Sequence, residues 1–202
     1  MGTTTKTLSS SPNSVSYSEQ LLARVYTINW EVVAWGAILL LALFTRFYEL
    51  GERVMSHDES LHTHYSWELY SMGRFEHTPL MHGPLLFHMT AFFYFLFGPS
   101  DFSARIYTSL LGVAVVMFPY LFRRWLGRSG AIIAAVGLLI SPMLMYYSRY
   151  IRHDIPSIFF ALVMIYATMQ YIDGEKTRRP IWLAVLSGAM LFMLASKEVA
   201  FI

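Results

Sequence analysis

Residues 155–172 read IPSIFFALVMIYATMQYI, a run that contains no charged residue. A helix needs about 20 mostly apolar residues to cross a bilayer, with a working range of about 17–25. This stretch therefore predicts a transmembrane helix. Four other stretches meet the same criterion: residues 29–48, 105–122, 130–147 and 180–196. Residues 84–97 are equally apolar but too short, and they predict a helix that lies at the membrane surface.

The composition of the 202 residues supports a membrane protein. Hydrophobic residues make up 55% of the chain and charged residues only 14%, whereas soluble domains are about 25% charged. Cysteine is absent, which excludes a thiolate nucleophile and a Cys-ligated metal from these residues. The net charge of +2 is too small for a nucleic-acid-binding surface. We therefore predict an all-α, polytopic transmembrane protein.

The basic residues orient the predicted spans. Lys and Arg collect in cytoplasmic loops, and here they cluster in residues 123–128 and 175–179. Five spans, but not six, place the N-terminus on the same side as both loops. This predicts a disordered cytoplasmic tail over residues 1–28 and a transmembrane region over 29–202. Residues 50–104 then form one large external loop with juxtamembrane helices, in a membrane that we expect to be a prokaryotic plasma membrane.

The external loop begins with SHDESLHTHY at residues 56–65. Ser56 and Glu59 have the spacing of a helix capping box. In the helix that follows, Asp58, His62 and Tyr65 share one face. Carboxylates beside imidazoles suit a general base or a hard-cation site. The alternative is a charged first helical turn, which the helix dipole favours by itself.

Two further segments of the external face carry polar groups. His82 precedes Gly83, and a glycine allows the backbone to approach a ligand closely; the alternative is an ordinary surface turn. Arg149 and Arg152 stand just before Asp154, where either guanidinium could bind a phosphate through two hydrogen bonds. The alternative for this segment is a helix N-cap with an arginine reaching to the interface.

Three isolated residues have two interpretations each. Arg105 opens the second predicted span, as a phosphate contact or as an interfacial arginine. Lys197 either pairs with Glu198 or reaches an anionic ligand. His88, within the short apolar stretch, is either a surface residue or a ligand to a pigment magnesium or a haem iron.

Taken in order, the motifs of this chain resemble the N-terminal half of a GT-C membrane glycosyltransferase. The resemblance is to family 39, which includes the protein-mannosyltransferases and the aminoarabinose transferases, and within it to the flippase-activity-associated subfamily. The matching motifs are Asp58-Glu59, Pro84-Leu85 with Phe97-Gly98, Ser103-Ala104-Arg105, Ser141-Pro142 through Arg149 and Asp154-Ile155-Pro156, and Ser196-Lys197-Glu198.

The resemblance implies an enzyme that transfers a sugar from a polyprenyl-phosphate-linked donor on the external face. Asp58 would be the catalytic carboxylate, which accepts or orients the acceptor's proton, and Glu59 would support it. Asp154 would be the second acidic residue of the site, in contact with substrate or with a divalent cation. The implied partners are therefore the lipid-linked donor and membrane lipids.

The remaining expectations concern phosphate and metal. We expect the donor phosphate to meet Arg105, Arg149, Arg152, His82 and Lys197. If a divalent metal ion is a cofactor, its candidate ligands are Asp58, His62 and Asp154. The segment Met81-His82-Gly83-Pro84-Leu85 stands where aminoarabinose transferases have Glu-Lys-Pro-Pro-Leu, so His82 would replace an acidic metal contact and a lysine.

Members of the resembled group continue through several more spans, so we expect this chain to be the N-terminal part of a longer protein. The alternative is a non-catalytic transmembrane subunit, derived from such a transferase, in a respiratory or photosynthetic complex. Its aromatic-rich helices would then contact partner subunits, lipids or pigments.

Overall fold

The computed structural model describes residues 29–75 and 82–197, and in these residues the chain is helical. The α-helices of these two described ranges are α1 Trp30–Phe47, α2 His57–Met72, α3 Leu85–Phe97, α4 Asp101–Met117, α5 Arg123–Ile140, α6 Pro142–Ser148, α7 Asp154–Asp173 and α8 Arg179–Ser196. Short 3₁₀ turns follow α4 and precede α8. The described residues include no strand.

The number of spans agrees with the sequence. Among the described residues, four helices are long and apolar enough to cross a membrane, and α5 with α6 makes a fifth if this bent pair is counted as one span. The all-α polytopic fold is thereby confirmed. The predicted short helix is also present as α3, which at 13 residues cannot cross a bilayer alone.

Helix α4 lies at the centre of the bundle. Of its membrane-spanning segment, Asp101–Tyr120, 72% is buried, against 22% or less for each of the other three long spans. It packs against α1, α3, α6 and α7. The contact with α6 is close at Gly112, where a Cβ atom would come within 2.1 Å of the Ser148 Cβ. Glycine is thus required for the two helices to approach this far.

The predicted span over residues 130–147 is not one continuous helix. The axis bends by 64° between Ile140 and Pro142. A proline has no N–H for the carbonyl four residues back, and its ring clashes there, so the Leu138 carbonyl loses its helical partner. Arg46, fully buried in the last turn of α1, donates to the carbonyls of Leu138 and Leu139 at 3.4 and 3.3 Å. These hydrogen bonds provide donors for the carbonyls at the break and connect α1 to the bend.

A second arginine makes the reciprocal connection. Arg149, just after α6, donates to the carbonyls of Tyr48 and Glu49 at 2.7 and 3.1 Å. Glu49 has a positive φ of 49°, so the chain turns sharply where α1 ends. A cation is favourable at a helix C-terminus, and Arg149 therefore stabilises the end of α1.

Ion pairs show which helix ends lie together. Glu31, in the first turn of α1, pairs with Arg123 and Arg128 at 3.5 and 3.6 Å. The Trp125 indole donates to Asp173 at the end of α7, at 2.6 Å. The start of α1 and both basic loops therefore share one end of the bundle, as the five-span count requires. We call this the basic end.

We expect Gly112→Ala to destabilise the fold, because the added methyl group collides with Ser148 and overpacking costs about 1–3 kcal/mol. The control is Gly137→Ala in α5, where the new Cβ would meet no atom within 4 Å. Thermal unfolding of the purified protein in detergent measures both. A Gly112→Ala variant as stable as the Gly137→Ala variant would contradict the close approach of α4 and α6.

Candidate active site

The candidate site lies at the end opposite the basic end, and the start of α2 sets its geometry. The predicted capping box is confirmed: the Ser56 Oγ accepts from the Glu59 amide, and the Glu59 carboxylate accepts from the Ser56 amide. Ser56 also hydrogen-bonds Tyr150, which follows α6. These contacts fix the first turn of α2 so that Glu59 points into the protein while its neighbour Asp58 is exposed.

Glu59 is a fully buried carboxylate with several donors. Its Oε1 accepts from the Arg105 Nε at 3.1 Å and from the Ile151 amide at 3.3 Å. Its Oε2 accepts from the Arg53 guanidinium at 2.7 Å. Arg105 is itself fully buried and also donates to the Leu50 carbonyl at 2.9 Å. Glu59 and Arg105 thus join α2 and α4 to the flanking loops.

Asp58 opens onto a polar cavity of about 210 Å³. The cavity is lined by Asp58, Leu61, His62, His82, Arg152, His153, Asp154 and Lys197. Within the part of the chain that the structure describes, no hydrogen bond or ion pair engages the Asp58 carboxylate. A proton acceptor is therefore available at the cavity wall.

Asp154 begins α7 and forms a second charged centre in the same cavity. Its carboxylate lies 3.5 Å from the Arg152 Nε and 3.3 Å from the Lys197 Nζ. One carboxylate against two cations gives this cluster a net charge of +1. All three side chains are about one-third or more exposed, and such pairs contribute only about 0–1 kcal/mol each. The two cations can therefore change partners at small cost.

Three imidazoles connect the two centres. The His153 ring contacts the His62 ring at 5.2 Å and the His82 ring at 5.4 Å between centroids, both nearly perpendicular. His82 has a φ of 60°. The next residue, Gly83, lies so close to α8 that a Cβ atom would come within 2.0 Å of the Ala195 carbonyl oxygen. The close approach of the Gly83 backbone to α8 thus positions the His82 ring next to the His153 ring.

Burial changes the titration of one of these rings. His62 is buried between His153 and Phe87, and desolvation lowers its pKa to about 4. The neighbouring Asp58 carboxylate opposes that shift, while His82 and Arg152 add to it. His62 is therefore neutral at physiological pH.

The cavity assembles most of the residues that the sequence suggested. It contains Asp58, His62, His82, Arg152, Asp154 and Lys197. Glu59, Arg105 and Arg149 are not among its lining residues. Sequence reasoning missed His153 as a site residue, although its position directly before Asp154 was a signal. The chemical roles given to all these residues stay predictions.

Other candidate residues have partners that the sequence did not suggest. Lys197 pairs with Asp154, while Glu198 lies outside the described residues. His88 is exposed and shares a hydrogen bond between its Nδ1 and the Pro84 carbonyl at 2.8 Å. Among the described residues, no three His, Asp or Glu side chains form a group that could hold a metal ion. The metal set of Asp58, His62 and Asp154 stays a prediction.

The fold is similar to that of a solved enzyme complex. That complex is the protein O-mannosyltransferase of S. cerevisiae, solved with its sugar donor bound. The match covers 91% of this chain and 28% of the yeast chain. The TM-score is 0.66 and the sequence identity 19%. The chain therefore shares its fold with that part of the yeast enzyme.

The amino-acid sequence identifies the family of the chain. Residues 81–202, more than half of the chain, match the model of the dolichyl-phosphate-mannose-protein mannosyltransferase family. The chain belongs to this family. A relative, an uncharacterised protein of Aquifex aeolicus (strain VF5), is 24% identical over 163 residues. That match covers 76% of this chain and 32% of the relative, so this chain spans about a third of the relative's length.

We expect substitutions of the two adjacent acidic residues to have different effects on the stability of the fold. Glu59→Gln leaves the buried Arg105 without its counter-charge, and breaking such a pair costs about 3–5 kcal/mol. Asp58→Asn, at an exposed position, should change the free energy of unfolding by no more than about 0.5 kcal/mol. Thermal unfolding in detergent compares the two variants. Equal losses would contradict the division of roles between these neighbours.

A second prediction concerns pH. Because the pKa of His62 is about 4 in the folded protein and near 6.5 when unfolded, the unfolded state binds more protons between these values. The free energy of unfolding should therefore fall as pH drops from 6.5 to 4, by about 3 kcal/mol from this residue. His62→Gln should remove that contribution, and His64→Gln, at an exposed position, should keep it. Unfolding midpoints from pH 4 to 7 test this, and identical pH dependence in both variants would contradict it.

Proposed function

We propose that this chain forms a catalytic cavity of a membrane glycosyltransferase, which transfers a sugar from a polyprenyl-phosphate-linked donor. The observation that carries the proposal is that one cavity contains both the Asp58 carboxylate and the net-positive cluster around Asp154. A group-transfer reaction of this kind needs both a proton acceptor and positive charge for a phosphate leaving group. Membership of the family supports the same reaction class.

The cavity suits the external face of the membrane. It lies at the opposite end of the bundle from the two basic loops, and cytoplasmic loops are the ones that collect Lys and Arg. We therefore assign the basic end and the N-terminus to the cytoplasm, and the cavity to the outer surface of a prokaryotic plasma membrane. A lipid-linked donor suits that face, because the lipid itself carries the sugar and no nucleotide is required.

Asp58 would act on the acceptor. As the acceptor hydroxyl attacks the anomeric carbon of the sugar, its proton passes to the Asp58 carboxylate. The bond between that carbon and the donor phosphate oxygen breaks, and the phosphate leaves with the electron pair. Among the described residues, no ion pair occupies the Asp58 carboxylate, so it requires no rearrangement before it takes the proton.

Arg152 and Lys197 would act on the donor. Both cations share Asp154 through partly exposed pairs of 3.5 and 3.3 Å, so a phosphate can bind them without breaking a fully buried interaction. The negative charge on the phosphate grows as the sugar leaves, and positioned cations stabilise that charge most at this stage. Asp154 would hold the two cations in place between turnovers.

Replacing Asp58 by Asn should lower the rate of sugar transfer by about 10²–10⁴-fold, because the amide cannot accept the proton. The matched control is Glu52→Gln, which neutralises an exposed acid in the segment before α2 and should leave the rate unchanged. The measurement is transfer of radiolabelled sugar from membrane-extracted lipid donor, with the protein in its native membrane. Full activity of Asp58→Asn would remove the proposed role.

A further inference from the structure

A cavity of about 460 Å³ lies at the basic end, between α1 and the connection from α4 to α5. Its lining residues are Asn29, Glu31, Val32, Trp35, Gly36, Leu39, Met117, Tyr120 and Arg123. We call it the α1 groove. Its charged side chains, Glu31 and Arg123, lie where α1 and α5 begin, and the rest of the lining is mainly apolar. The groove therefore has a charged mouth and an apolar body, and it shares no residue with the candidate active site.

The mouth of the α1 groove carries a net positive charge. The Glu31 carboxylate pairs with Arg123 and Arg128 at 3.5 and 3.6 Å, and two cations against one carboxylate leave a charge of +1. The Arg123 guanidinium lies over the Tyr120 ring at 4.4 Å, a cation–π contact that holds it at the mouth. The side chains of Arg123 and Arg128 are 47% and 84% exposed, so both guanidinium groups are open to a further anion.

The body of the groove is open because α1 has a glycine there. A Cβ atom on Gly36 would meet no atom within 4 Å. Trp35, which is only 6% exposed, packs edge-on against the Tyr120 ring at 5.1 Å and forms part of the floor. Val32 and Leu39, one turn before and one turn after Gly36, are 66% and 38% exposed. Among the described residues, no side chain fills the space over Gly36.

We propose that the α1 groove binds an anionic phospholipid, with its phosphate at Arg123 and Arg128 and one acyl chain over Gly36. A guanidinium binds a phosphate through two hydrogen bonds, and the single negative charge of phosphatidylglycerol balances the +1 of the mouth. The length also fits: Glu31 and Leu39 lie about 12 Å apart along α1, and the hydrocarbon of one leaflet is about 15 Å thick. This inference goes beyond the proposed function and does not depend on it.

Native mass spectrometry identifies the lipid that the protein retains. The whole protein is extracted in mild detergent from vesicles that contain equal amounts of phosphatidylglycerol and phosphatidylethanolamine with the same acyl chains. We expect phosphatidylglycerol to be retained in preference to phosphatidylethanolamine, because the zwitterionic lipid does not balance the charge of the mouth. Both lipids have the same hydrocarbon, so a difference between them reports on the headgroup alone.

Two pairs of variants locate the lipid. Gly36→Ile should lower the retention of phosphatidylglycerol by about tenfold or more, because the new side chain displaces methylene groups that each contribute a factor of about four. Its control is Gly188→Ile in α8, where a Cβ atom also meets nothing within 4 Å, and retention should not change. Arg128→Gln should lower retention by about fivefold, the contribution of one basic residue near an anionic lipid. Its control is Arg178→Gln in the other basic loop, which is 72% exposed.

Three results would overturn the assignment. Unchanged retention in Gly36→Ile would mean that the lipid is attracted by surface charge and does not enter the groove. Equal retention of the two lipids by the unmodified protein would remove the role of the arginines. Retention of neither lipid would mean that another part of the protein fills the groove. If Gly36→Ile does not fold, as thermal unfolding would show, the exposed Arg128→Gln variant still decides, because equal losses in Arg128→Gln and Arg178→Gln would contradict a site at the mouth.

Discussion

The buried carboxylate of Glu59 holds together the end of the bundle that lies opposite the basic end. It accepts hydrogen bonds from Arg53 before α2, Arg105 in α4 and the Ile151 amide before α7. A buried charge is costly unless it is fully paired, so these segments must meet at one point for the protein to fold. The orientation of α2 follows from that requirement. Asp58, one residue earlier on the helix, is then turned out into the cavity.

The ion pairs of Glu59 and Asp154 illustrate how burial separates a structural pair from an exchangeable one. Glu59 and Arg105 are both buried, with a shortest contact of 3.1 Å, and their pairing is structural. Asp154 holds Arg152 and Lys197 through longer, partly exposed contacts, which a substrate can exchange. The buried His153 ring contacts the rings of both other histidines of the cavity, His62 and His82.

Features that depend on neighbouring residues could be predicted from the sequence. Contacts between segments far apart in the chain could not. Run lengths of apolar residues predict the spans, and the spacing of Ser56 and Glu59 predicts the capping box, because both depend on neighbouring residues. The Glu59–Arg105 pair joins positions 46 residues apart, and nothing local announces it. The hydropathy of residues 130–147 predicted one continuous span, because hydropathy measures only the free energy of transfer to lipid. The bend at Pro142 results from a lost backbone hydrogen bond, which hydropathy does not include. Gly83 was predicted to allow a close approach, and the partner turned out to be the backbone of α8.

The arginines at the bend bear on how the protein is made. Arg46 and its acceptor Leu139 are separated by 93 residues, so α1 emerges from the ribosome long before its acceptor carbonyls exist. Until α5 and α6 arrive, the guanidinium must be solvated at the membrane surface by water or lipid headgroups. Burial of Arg46 can therefore follow only after α5 and α6 are in place, and a chain halted before the bend leaves this guanidinium without its two carbonyl acceptors.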